Sequence, residues 1–267
     1  MNTSKHINLS AYNSYELFKD RDSELAYRKS KLESCEKHVS LISNECVDGK
    51  IDVLELGSGN SKLLINLQNK GLLNTGYGVE ISKNRHEFSQ RWINDLGLTN
   101  ITNFNSDIIG FDYDCLPNLD LCICVDLCFQ FLDPIDDGSS RKVLEYVYNR
   151  LRPGGKVILE LDNCGYIINH LPYTHKVWEE FGENDPWKYS LWECFYDVDK
   201  KILNWKKTFI SNDNKYEETE IFLRIFDCSD ISKVLNDVGF SNIRIYKDWE
   251  YSEFDENTNE FIIIAEK

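Results

Sequence analysis

Residues 51–67 read Ile51-Asp52-Val53-Leu54-Glu55-Leu56-Gly57-Ser58-Gly59-Asn60-Ser61-Lys62-Leu63-Leu64-Ile65-Asn66-Leu67, and this stretch decides the fold. Ile51, Val53, Leu54 and Leu56 make an apolar strand, which breaks at two glycines. Apolar residues then return at helical spacing with Leu63, Leu64 and Leu67. A strand, a tight glycine turn and a helix N-terminus together cradle a nucleotide-like ligand, because unpaired backbone N–H groups converge there. Glu55 narrows the choice. A carboxylate just before the turn repels a pyrophosphate and attracts a cationic amino acid. The dinucleotide pattern Gly-x-Gly-x-x-Gly also fails, since Lys62 stands at its last position.

Bulk properties set the frame. A chain of 267 residues with 42% hydrophobic content suits one large domain, with room for an insertion. A formal net charge of −15 and no basic stripe argue against nucleic acid as the main partner. A small neutral or cationic molecule fits better. Met1–Ser10 holds no apolar run, and no segment approaches the roughly 18 apolar residues of a membrane helix. A cytoplasmic protein without membrane contact is expected. The nine cysteines are odd in number and include no Cys-x-x-Cys pair. They read as reduced thiols, with no metal site expected.

The periodicity predicts an α/β chain. Tyr12 to Asn44 reads as an amphipathic helical cap, broken near Asp20–Ser23. Strands are predicted at Ile51–Leu56, Thr75–Glu80, Ile101–Asn105, Leu119–Val125 and Lys156–Leu161, with helices near Ser61–Lys70, Asn84–Leu96 and Arg141–Arg150. Arg152–Gly155 reads as a turn. This alternation predicts a doubly wound, Rossmann-like seven-stranded sheet, mostly parallel with an antiparallel last strand. Asn163 to Asp185 looks irregular. Leu191–Asp197, Ile202–Ser211 and Glu217–Phe226 then suggest an antiparallel β insertion after strand five. A helix over Asp230–Val238, capped by Ser229 or Asp230, and strands at Ile243–Tyr246 and Glu260–Glu266 close the chain. The segments divide as a cap (1–48), a core (49–162), a substrate lid (163–223) and the end of the core (224–267).

This pattern resembles the class I S-adenosylmethionine-dependent methyltransferases from about Ile51 to Lys267. Glu55-Leu56-Gly57-Ser58-Gly59 matches the family's first motif, and Gly76-Tyr77-Gly78-Val79-Glu80 the second. Asn105-Ser106-Asp107, the turn Leu151–Lys156 and Val238-Gly239-Phe240 match three further elements in order. Many members carry a third glycine where this chain has Ser61. The resemblance implies S-adenosylmethionine as cofactor, which agrees with the charge argument at Glu55.

The positions also have physical roles. Gly57, Ser58 and Gly59 bring backbone close to the ligand. Glu55 faces the methionine ammonium, and Glu80 takes the ribose hydroxyls with Ile81 beside it. Asp107 accepts from the adenine amino group with Ile108 against the ring. Asp126 lies where cofactor and acceptor meet, or simply caps the next turn. Phe129 and Gln130 follow on the rim as candidate acceptor contacts. Tyr166, Tyr173 and Trp192 are candidates in the aromatic insertion, although these aromatics equally suit packing it onto the sheet.

Methyl transfer is an in-line displacement, for which orientation supplies about 7–11 kcal/mol. An amine acceptor needs only to be neutral, whereas a hydroxyl usually needs a base. His175 is the candidate base, among His6, His38, His86 and His170. The antiparallel insertion resembles that of glycine and amino-sugar N-methyltransferases, whose N-terminal segment folds over the cofactor. That implies Tyr15, or Tyr12, near the sulfonium. The expected function is methyl transfer to a small molecule, amine-bearing rather than hydroxyl. The alternatives are a cofactor-binding regulatory module without transfer and a protein methyltransferase. Monomer and homodimer are both open.

Overall fold

A computed structural model describes residues 16–46, 49–163, 174–181 and 187–267, with only the backbone of 174–177. A seven-stranded sheet forms the core. Its strands are β1 (Ile51–Leu56), β2 (Leu73–Glu80), β3 (Ile101–Asn105), β4 (Leu119–Cys124), β5 (Leu151–Asp162), β10 (Ser241–Tyr246) and β11 (Glu260–Glu266), in the order β10-β11-β5-β4-β1-β2-β3. Strands β1 to β5 pair in parallel, and β11 runs antiparallel to both β5 and β10. The order reverses between β1 and β4, so a crevice opens at their C-terminal ends.

Burial on both faces makes the central strands apolar throughout. Leu121, Cys122, Ile123 and Cys124 of β4 are all fully buried. On one face lie α2 (Glu36–Glu45), α3 (Lys62–Asn69) and α4 (Lys83–Asp95), contributing Leu41, Ile42, Leu64, Leu67, Phe88 and Trp92. The other face is covered by α6 (Ser139–Arg150), which follows the single-turn α5 (Leu132–Ile135), and by α7 (Cys228–Val238), through Val143, Leu144, Val147, Ile231 and Leu235. Each such side chain contributes about 1.5–3 kcal/mol. A four-stranded antiparallel meander, β6 (Thr174–Glu180), β7 (Trp187–Asp197), β8 (Ile202–Ser211) and β9 (Tyr216–Arg224), stands over the crevice.

Several expectations change. The cap breaks at Cys35, between α1 (Arg21–Ser34) and α2, and not near Asp20–Ser23. Asp20 instead accepts a hydrogen bond from Ser23 N at 2.8 Å, so it starts α1. Chain breakers and N-caps share the same residue types. Helix α7 is capped by Asp227, which accepts from Asp230 N at 2.7 Å, while Gly239 ends it at φ 116° as expected. Asp227 also pairs with Lys201 at 2.7 Å, tying the β7–β8 side of the meander to α7. The segment expected to be irregular holds β6, so the meander has four strands and not three. Strand β5 begins at Leu151, with residues 152–155 forming an irregularity where the register with β4 jumps.

The described residues contain no helix long and apolar enough to cross a membrane. They contain no disulfide and no group of three His, Cys, Asp or Glu side chains placed to hold a metal.

Candidate functional site

The sheet's strand ends and the meander enclose a cavity of about 390 Å³. That lies within the range of small-molecule sites, roughly 300–1,000 Å³. Its floor is the glycine turn, the acids Glu55 and Glu80 at the ends of β1 and β2, and Asp107 just after β3. Its roof comes from Trp205 and Lys207 of β8 and Ile221 and Leu223 of β9.

Gly57 and Gly59 adopt φ 70° and 53°, left-handed values open to glycine at little strain. Gly57 N and Ser58 N both bond to Val79 O, at 2.9 and 3.0 Å, which locks the turn to β2. Ser61 stands at φ 60°, where a side chain is unfavourable. Its hydroxyl compensates by bonding Ser89 Oγ at 2.7 Å and accepting from Asn103 Nδ2 at 3.1 Å, all inside the core. A buried hydroxyl network thus holds Ser61 in this left-handed conformation.

The acids differ in how they are satisfied. Glu80 accepts from Gly59 N at 2.8 Å and Ser82 N at 2.7 Å, so its carboxylate is fixed at the end of β2. Asp107 accepts from Ile109 N at 3.0 Å, while its other oxygen is buried without a partner. Glu55 is 1% exposed, and its Oε2 has no partner at all. Burial pushes the Glu55 carboxyl up to about 8; Lys62 opposes this, and Asp126 and Glu80 add to it. A lone buried carboxylate facing a cavity calls for a cation. Asp126 pairs with Lys62 at 3.2 Å across the cavity mouth. The N-terminal segment reaches the same turn: Asn60 Nδ2 donates to Glu16 at 3.0 Å, and Tyr27 Oη donates to Glu16 at 3.1 Å.

The structure gathers Glu55, Gly57, Ser58, Gly59, Glu80, Ile81, Asp107, Ile108 and Asp126 around one cavity. Phe129 and Gln130 do not line it. Phe129 is buried against Phe226, with ring centres 6.0 Å apart. Gln130 is fully buried, donating to Arg224 O and accepting from Asp162 N, both at 2.9 Å. Asp126 and Leu127 both take left-handed conformations, φ 53° and 62°, and this twist turns Cys128 and Phe131 to the cavity instead. Gln130→Leu is therefore expected to lower the thermal midpoint, because each orphaned backbone group costs about 1–3 kcal/mol. An unchanged midpoint would remove this bridging role.

Trp192 does not line the cavity. Its Nε1 donates to Ser190 Oγ at 2.6 Å, and Lys207 covers its ring. Tyr12, Tyr15, Tyr166, Tyr173, His6 and His170 lie outside the described residues, as does the His175 side chain; the His175 backbone pairs with Cys194. His38 is half-buried against Trp249, with ring centres 4.2 Å apart, and neither it nor His86 lines the cavity. The cavity also takes in Lys31, Lys62, Arg85, Cys128, Phe131, Trp205 and Lys207, none of them expected as site residues.

No family model and no curated protein matches the sequence. Solved structures do match the fold. An S-adenosylmethionine-dependent methyltransferase from Clostridium acetobutylicum ATCC 824 is similar at 19% identity and a TM-score of 0.73, over 92% of this chain and 98% of that one. The CcbJ methyltransferase from Streptomyces caelestis matches at 15% identity and a TM-score of 0.71, over 86% and 89%. The glycopeptide N-methyltransferase MtfA, solved with S-adenosyl-L-homocysteine, matches at 14% identity and a TM-score of 0.55, over 87% and 89%. The chain therefore has the Rossmann-like fold of these proteins.

Proposed function

We propose that this chain is an S-adenosylmethionine-dependent methyltransferase acting on a small-molecule acceptor, with an amine favoured over a hydroxyl. The observation that carries the reading is Glu55. Its buried, partnerless oxygen faces the cavity beside the glycine turn, and a ligand ammonium is the group that would let it ionise. The rest of the cavity suits the same ligand. Glu80, held by two backbone N–H groups, keeps lone pairs free for ribose hydroxyls. The unpartnered Asp107 oxygen suits an exocyclic amine, and Ile81 and Ile108 offer apolar surface for a flat ring.

When bound, the cofactor supplies an electrophilic methyl group on a sulfonium. What this chain must supply is alignment and exclusion of water. The turn at 57–59 fixes one end, and the meander closes the other. Among the described residues, no histidine lines the cavity, which suits an acceptor amine that attacks without a general base. For a hydroxyl acceptor the base we assign is His175 on β6.

Calorimetry with S-adenosylhomocysteine tests the reading, and no binding at millimolar concentration would overturn it. Glu80→Ala is expected to weaken that binding about tenfold or more, since charge-assisted hydrogen bonds contribute about 1.5–3 kcal/mol. Unchanged affinity would remove the ribose assignment.

A further inference from the structure

Lys207 lines the cavity and has no role in the cofactor assignment proposed above. On β8, Leu203, Trp205, Lys207 and Phe209 share one face by the two-residue period of a strand. Leu203 and Phe209 are buried, so Lys207 is a charge set into an inward apolar row. Its register neighbours are Trp192 on β7 and Thr219 on β9. The ammonium lies 3.5 Å from the centre of the Trp192 ring and 5.1 Å from that of Trp205.

Among the described residues, the Lys207 ammonium makes no hydrogen bond and no ion pair. Of the three other cations at the cavity, Lys62 pairs with Asp126 at 3.2 Å and Arg85 with Glu16 at 3.8 Å, while Lys31 lies 5.0 Å from the centre of the Tyr27 ring, outside the meander. Glu179 acts on Lys207 through space, but its carboxylate accepts from Ser190 Oγ at 3.2 Å. Burial pulls the Lys207 amine down to about 8, partly offset by Glu179 and Cys194. Ring faces stabilise an ammonium but satisfy none of its three N–H donors. An anionic oxygen would do both jobs, and charge-assisted bonds of this kind are the strong ones.

We propose that the acceptor carries an anionic oxygen group, carboxylate or phosphate, on an apolar body. Lys207 binds that group, while Trp205, Ile221 and Leu223 hold the body against the roof. The inference rests on the methyltransferase reading and narrows its acceptor to an amine that also bears an acid. The Trp192 face is already covered by the protein's own ammonium, so it does not offer a ring face to a cationic acceptor.

The test is calorimetry on the full chain. S-Adenosylhomocysteine is titrated first, and its failure to bind would count against the methyltransferase reading alone. Benzoate, phenyl phosphate, benzamide and benzylamine are then titrated with and without it. One or both acids are expected to bind at least about tenfold more tightly than benzamide, a gap of about 1.4 kcal/mol. The better acid identifies the anionic group. Lys207→Met should abolish that preference and Lys207→Arg should keep it, with S-adenosylhomocysteine affinity unchanged in both. Benzamide or benzylamine binding as tightly as the acids would overturn the proposal, as would no acid binding at all. A preference that survives in Lys207→Met would overturn it too. The wild-type comparison of acid against amide stands even if a variant fails to fold.

Discussion

Glu55→Gln is expected to stabilise the ligand-free protein near pH 8 while weakening S-adenosylhomocysteine binding by one to two orders of magnitude. Both effects come from one buried oxygen. The unfolded carboxyl titrates near 4.5, whereas burial moves the folded one to about 8. Between those values the native state keeps a proton that the unfolded state has lost. Stability therefore falls as pH rises through that window, and the full penalty is present above about pH 8. Glutamine cannot ionise, so its advantage should be largest at high pH and vanish below about 4.5. Asp162, also pushed up by burial and by Glu260 and Glu160, adds its own slope to both proteins. The difference between wild type and variant isolates Glu55. Binding should reverse the sign. A ligand ammonium favours ionised Glu55, so binding at neutral pH should release close to one proton. Calorimetry in phosphate and in Tris should then give different apparent enthalpies for wild type and equal ones for Glu55→Gln. Losing a charge-assisted bond of about 1.5–3 kcal/mol sets the expected loss of affinity. Equal enthalpies in both buffers for wild type, or parallel stability profiles for the two proteins, would sink the assignment.

What could be read from the sequence follows from which signals are local. The strand-turn-helix at 51–67 is local, since its apolar periods and two glycines are contiguous. Glu80 and Asp107 were legible because parallel strands deliver their C-terminal ends to one edge, whatever the details of packing. The rim after β4 was not. Two successive left-handed residues, Asp126 and Leu127, redirect the chain there. The side chains expected at the acceptor, Phe129 and Gln130, turn inward as a result, and Cys128 and Phe131 take their place. Nothing in the composition of Asp126-Leu127-Cys128 announces that twist. Lys207 left a trace, a lone charge on the apolar face of an otherwise regular strand. Its stacking on Trp192 depends on the β7–β8 register, which the sequence does not print. Strand β6 was hidden for a similar reason: it is defined by its pairing with β7 and not by a local pattern.

Gly57→Ala should be among the most damaging single-methyl changes available in this chain. Two independent penalties meet there. The backbone stands at φ 70°, where a Cβ costs about 1–2 kcal/mol. The added carbon would also fall 2.5 Å from Cys128 Sγ and 2.7 Å from Cys128 Cβ. Neither side yields easily. Gly57 N is bonded to Val79 O at 2.9 Å, and the turn carrying Cys128 is held by the buried Gln130 two residues on. Overpacking of this kind costs about 1–3 kcal/mol. A total of about 2–5 kcal/mol is expected, read as a lower urea midpoint, together with loss of S-adenosylhomocysteine binding. Gly138→Ala provides the comparison: φ is 77°, but nothing lies within 4 Å, so only the backbone strain applies. The two penalties separate in a double-mutant cycle with Cys128→Gly, which removes the colliding side chain and leaves the strain. The cycle should show about 1–3 kcal/mol of favourable coupling, with the double variant still less stable than Cys128→Gly alone. Strict additivity would mean that Cys128 gives way freely, and that the close approach of β1 and β4 is not what reserves position 57 for glycine.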